Sequence, residues 1–77
     1  MHLNDLLELL QDACGVDVPL LPETELLDSG LLDSLALIRL LDALEDHGLL
    51  LEPTRVERES LRTPRRIAEL LDNAERL

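Results

Sequence analysis

Aromatic residues are missing altogether: the 77 residues include no Phe, Tyr or Trp. The core must then be aliphatic, and here mostly leucine, which packs less uniquely than a mixed set. Lysine is absent too, and the only histidines are His2 and His47. There is one cysteine, Cys14, so no internal disulfide can form, which suits a reducing cytoplasm. No His, Lys or Arg stands near Cys14 in sequence to lower its pKa. It reads as a small apolar residue at a helix end rather than a reactive thiol. No apolar stretch approaches the length of a membrane span, and the first residues do not pattern as a signal peptide. The expectation is a cytoplasmic chain with no membrane insertion.

Positive charge is scarce. The formal net charge is −10, which argues against nucleic acid and anionic membranes as partners. The imbalance is uneven. Met1 to Thr54 holds twelve acidic residues and one arginine, whereas Arg55 to Leu77 holds five acidic residues and six arginines. Partners that approach the first part should carry Arg or Lys. At this length residues 1–77 form one domain with a thin core, expected to be monomeric.

The organising stretch is Leu26-Leu27-Asp28-Ser29-Gly30-Leu31-Leu32-Asp33-Ser34-Leu35, in which Leu-Leu-Asp-Ser occurs twice. The first copy ends in Gly30 and reads as a turn, since Asp and Ser bond locally to the backbone and Gly tolerates positive φ. The second runs into Leu35-Ala36-Leu37-Ile38-Arg39-Leu40-Leu41-Asp42-Ala43-Leu44, a helical run. Asp33 and Ser34 thus stand at a helix start, where short side-chain oxygens satisfy unpaired N–H groups. On these residues alone the pair is a cap, and the cap could be its whole role.

Helical spacing of Leu3, Leu6, Leu7 and Leu10 predicts a first helix over about 3–13, stopped by Gly15. Residues 16–33 form a long connection, broken by Pro19 and Pro22. Its many Val and Leu residues require that it pack down on the core, and loops of this kind are often functional. A second helix is expected from Ser34 to about His47, stopped by Gly48. Arg39, Asp42 and Asp46 draw its solvent stripe, and Leu37, Leu40, Leu41 and Leu44 suffice for the core. That leaves Leu35 and Ile38 as a partner-facing edge beside Ser34, or as further core. Thr54-Arg55-Val56-Glu57 matches a capping box and predicts a short third helix anchored by Val56 and Leu61. Thr63-Pro64 starts the last helix, with Ile67, Leu70, Leu71 and Ala74 on one face and Arg65, Arg66, Glu69 and Asp72 solvated. No β-strand of any length is indicated. The fold class is all-α: a small four-helix bundle with a long first loop and a short third helix.

Spacing argues against several chemistries. Along a continuous helix, Ser34 and His47 lie roughly 20 Å apart, whereas a nucleophile and its base must meet within about 3 Å. Gly30-Leu31-Leu32-Asp33-Ser34 is not a nucleophile elbow. One Cys and two distant His give no zinc spacing, Asp28 to Asp33 lacks the alternation of a calcium loop, and no phosphate-binding glycine loop is present. No catalytic residue and no metal site is expected. What remains is one hydroxyl at a helix start on an acidic surface, which describes a substrate or an attachment point.

Asp33-Ser34-Leu35, with the leucine-rich acidic loop before it and the apolar helix after it, resembles the acyl and peptidyl carrier proteins. The likeness extends to the length, the four helices and Thr63-Pro64. It implies that Ser34 carries a 4′-phosphopantetheine arm, transferred from coenzyme A by a phosphopantetheinyl transferase. Asp33 would support that attachment, and Leu35, Ile38 and Arg39 would meet partners. The arm's thiol would hold an acyl or aminoacyl thioester. An adenylating ligase would load it, and a downstream acyltransferase or condensing enzyme would receive it. Fatty-acid-synthesis carriers resemble one another in carboxylates two and five residues after the serine, and here those positions are Ala36 and Arg39. Arg39 looks like the peptidyl carriers, although their Gly-Gly-Asp-Ser pattern is absent. Gly30-Leu31-Leu32-Asp33-Ser34, Glu57-Arg58 and Thr63-Pro64 look like D-alanyl carrier proteins. The resemblance therefore favours a stand-alone aminoacyl or acyl carrier. Alternatives are a peptidyl or polyketide-type carrier, or a small acidic helical adaptor with no covalent cargo.

Overall fold

A computed structural model describes residues 2–52, 55–73 and 75–76. Helix α1 spans Leu3–Cys14 and buries Leu6, Leu10 and Ala13, the inward line that helical spacing dictates. It ends one residue later than its periodicity suggests. Gly15 adopts φ 68° there, and its N–H donates to the carbonyls of Gln11 and Asp12. Few residues but glycine hold that left-handed conformation without strain.

Helix α2 spans Ser34–Asp46. Its buried line is Ala36, Leu40 and Leu44, while Leu37 and Leu41 are half-buried beside it. The expected core stripe is therefore rotated toward Ala36. Leu35 and Ile38 are 55% and 57% exposed, so they are not part of the core. Arg39, Asp42 and Asp46 are exposed, as the stripe requires.

The short third helix is a four-residue 3-10 turn, Arg58–Leu61. Glu57 precedes it without a side-chain cap bond, and Thr54, the other half of the expected capping box, lies outside the described residues. Val56 and Leu61 are only half-buried, so too little apolar face exists to support a longer helix. Helix α3 spans Pro64–Asp72, with Pro64 in its first turn and the Thr63 hydroxyl accepting from the Arg66 N–H. Ile67 and Leu71 are buried and Leu70 half-buried. Ala74, expected on the same face, lies outside the described residues. A further difference is an antiparallel ladder of two-residue strands, β1 (Leu49–Leu50) and β2 (Glu75–Arg76), with Leu49 opposite Arg76. Strands this short leave no readable alternation.

Helix α1 packs against both α2 and α3, the 3-10 turn packs on α3, and β1 packs on α2. Among the described residues the architecture is thus all-helical apart from the short ladder, with three helices and the Arg58–Leu61 turn. Nine of the twelve residues of the hydrophobic core are leucines, Pro64 is buried as well, and no polar side chain is buried among the described residues. Three of those leucines, Leu20, Leu26 and Leu32, come from the 16–33 connection. Its backbone is stitched to the C-terminal part as well. The Leu26 N–H donates to the Arg62 carbonyl at 2.7 Å, and the Arg65 N–H donates to the Pro22 carbonyl at 3.0 Å. Side chains add a clip. The Arg62 guanidinium reaches Glu25 at 2.9 Å, Asp28 at 3.1 Å and Glu59 at 2.7 Å. Arg65 pairs with Glu23. This pinning presents the end of the loop, where Asp33 and Ser34 lie, to the start of α2.

Candidate functional site

Asp33 is the residue at which extended backbone becomes helix, with φ −82° and ψ −175°. Its carboxylate accepts from the Ala36 N–H at 2.8 Å, and its carbonyl accepts from the Leu37 N–H at 2.9 Å. It is therefore a working cap. Ser34 follows as the first helical residue. Its side chain is exposed, and its hydroxyl has no hydrogen-bond partner among the described residues. The N–H groups of Ser34 and Leu35 have no partner within the helix, because first-turn donors precede any acceptor. They lend positive character to the space around the hydroxyl.

Ser29, the matching residue of the first copy, is held. Its hydroxyl donates to the Glu25 carbonyl at 2.6 Å and accepts from the Leu31 N–H at 3.3 Å. Gly30 follows at φ 77°. The Glu25 carboxylate accepts from the N–H groups of Asp28 and Ser29. Partial desolvation pushes the Glu25 pKa up, but those backbone donors and Arg62 outweigh it and hold the group below its ordinary value. Glu59 is also held low, chiefly by its hydrogen bond from Arg62. The Asp28 carboxylate faces Arg62 instead of capping the turn.

An open groove of about 480 Å³ lies beside Ser34. Leu27, Leu32, Leu37, Val56 and Leu61 supply its apolar lining, and Asp33, Ser34 and Arg58 its polar one. Local sequence pattern places Asp33 and Ser34 correctly at the helix start but misses Val56, Arg58 and Leu61 as neighbours. They belong to the segment around the 3-10 turn, which only the fold brings to α2. A smaller cavity of about 240 Å³ lies beyond Val56, among Leu50, Leu51, Arg55, Leu70 and Asn73. Its described lining offers no hydroxyl or thiol, so the chemistry points to the larger groove.

His47 caps the opposite end of α2 from Ser34. Burial pushes the Cys14 thiol pKa up, and the charge of Asp33 adds to this, so the thiolate is disfavoured. Among the described residues, no group of three or more His, Cys, Asp or Glu is placed to hold a metal ion. No described helix is long and apolar enough to cross a membrane.

The family described as "Phosphopantetheine attachment site" matches residues 4–71. The chain belongs to that family. No curated protein matches the sequence. Membership makes the chain a non-catalytic carrier of a covalent 4′-phosphopantetheine arm, loaded by a phosphopantetheinyl transferase. The cargo-free adaptor alternative falls with it. The surroundings of Ser34 are compatible with such an arm. A phosphodiester suits a first helical turn with unpaired N–H groups, and the groove offers apolar wall to whatever lies beyond it. The arm would supply a thiol that holds cargo as a thioester.

Proposed function

We propose that Ser34 is the residue that bears the phosphopantetheine arm, and that the cargo is an aminoacyl or acyl group. An adenylating ligase loads it, and a downstream transferase or condensing enzyme receives it. The observation that carries this reading is the contrast in hydroxyl environment: Ser34 is exposed and unbonded at a helix start beside an open groove, whereas Ser29 is tied down on both sides. A transferase brings its own base and metal, so the carrier needs only to offer a reachable hydroxyl. Asp33 supports the site by fixing the first turn. Leu35 and Ile38, half-exposed apolar side chains one turn apart, and the exposed Arg39 form the edge that partners meet. Residues 1–77 act as one carrier domain.

Ala36 and Arg39 stand where fatty-acid carriers hold carboxylates. That supports aminoacyl over fatty acyl cargo, and Arg39 keeps a peptidyl carrier as the second reading. Coexpression with a broad-specificity phosphopantetheinyl transferase tests the attachment. Intact mass should rise by one phosphopantetheinyl group, a gain lost in Ser34→Ala and kept in Ser29→Ala. A gain that survives Ser34→Ala would refute the assignment. A panel of amino and fatty acids, offered with the ligase, tests the cargo.

A further inference from the structure

Six arginines have described side chains, and most are engaged. Arg55 pairs with Glu52, Arg62 with three carboxylates, Arg65 with Glu23, and Arg66 with Glu59. Arg58 and Arg39 have no ion pair among the described residues. The two differ in place. Arg39 stands on the solvent stripe of α2, whereas Arg58 lines the groove that Ser34 also lines. Glu59, its neighbour in the 3-10 turn, is occupied by Arg62 and Arg66. The groove's only carboxylate among its lining residues is Asp33, adjacent to Ser34 and engaged on the Ala36 N–H.

This arrangement poses an electrostatic problem that Arg58 answers. A phosphodiester on Ser34 adds an anion next to Asp33, in the acidic part of a chain of net charge −10. Like charges at close range oppose one another. A guanidinium lining the same groove offsets that repulsion. Its planar fork matches two phosphate oxygens better than an ammonium can. We propose that Arg58 holds the phosphodiester of the arm. This inference rests on attachment at Ser34 and adds a binding residue to it.

The test uses ³¹P NMR of the fully loaded chain, with loading and its position checked by mass spectrometry. The reference is the same sample unfolded in urea. In the folded wild type the phosphorus resonance should be displaced from the reference, and added salt should shrink the displacement as it screens the pair. Arg58→Gln should abolish most of the displacement, and Arg58→Lys should leave an intermediate value. Arg39→Gln should leave it as in the wild type. A folded resonance that ignores salt, or one that ignores Arg58→Gln, overturns the inference while attachment at Ser34 stands. The salt titration needs no variant, so it decides even if Arg58→Gln fails to fold. An arm found on another residue overturns both.

Discussion

The two Leu-Leu-Asp-Ser copies have the same four residues and opposite fates. In the first, Leu26 is fully buried, Asp28 faces the Arg62 clip, and Ser29 is bonded on both sides. In the second, Leu32 is buried, Asp33 caps α2, and the Ser34 hydroxyl is exposed and unbonded. The difference comes from the residues just after each copy. Gly30 lets the first close into a turn at φ 77°, and the backbone of that turn takes up the Ser29 hydroxyl. Leu35-Ala36-Leu37 carries the second into a helix, where Asp33 satisfies the cap and Ser34 has nothing left to bond. One copy is a fastener and the other an offer. Residue identity does not separate them, but the next residue does.

Substitutions can break this contrast. The largest effect is expected at Leu26, which is 0% exposed. Leu26→Ala should cost about 2–5 kcal/mol, the range for emptying a buried leucine site. Leu31→Ala, in the second copy and only half-buried, should cost clearly less. Urea denaturation of both variants measures the difference. Gly30→Ala comes next. Open space surrounds the site, so no clash arises, but the positive φ imposes about 1–2 kcal/mol on an L side chain. Asp33→Ala should cost about 1 kcal/mol through the lost cap, whereas Ser34→Ala should stay within about 0.5 kcal/mol, as for a surface change that breaks no bond. Thermal unfolding of the two variants side by side checks this. A Ser34→Ala cost as large as that of Asp33→Ala would make Ser34 structural.

The smallest effect concerns acid. Glu25 and Glu59 are held below their ordinary value of 4.5 in the fold. Their contribution is complete above that value and fades as pH falls through the lowered ones. Arg62→Met removes the shared partner and should flatten the loss of stability below about pH 4.5 without erasing it, since exposed pairs contribute little. Equal slopes in wild type and variant would show that the clip adds nothing.

Much of the fold is legible in the chain itself. Periodic leucines mark α1 and α2, and Thr63-Pro64 marks the start of α3, because each signal is local. Asp33 and Ser34 are legible for the same reason. The 3-10 turn is not, since Thr54-Arg55-Val56-Glu57 fits a capping box that the weakly buried Val56 and Leu61 do not reward with a full helix. The groove is hidden as well. Arg58 and Leu61 are more than twenty positions from Ser34 in sequence, and nothing in their local pattern points there. The Arg62 clip joins residues 34 and 37 apart in sequence, beyond the reach of any helical or strand spacing.

The most direct test uses the contrast that the chain contains. The loaded protein is cleaved, and the peptide covering both copies is fragmented between Ser29 and Ser34. The whole added mass should lie on the Ser34 side. Phosphopantetheine on Ser29, or shared between the two serines, would contradict the assignment.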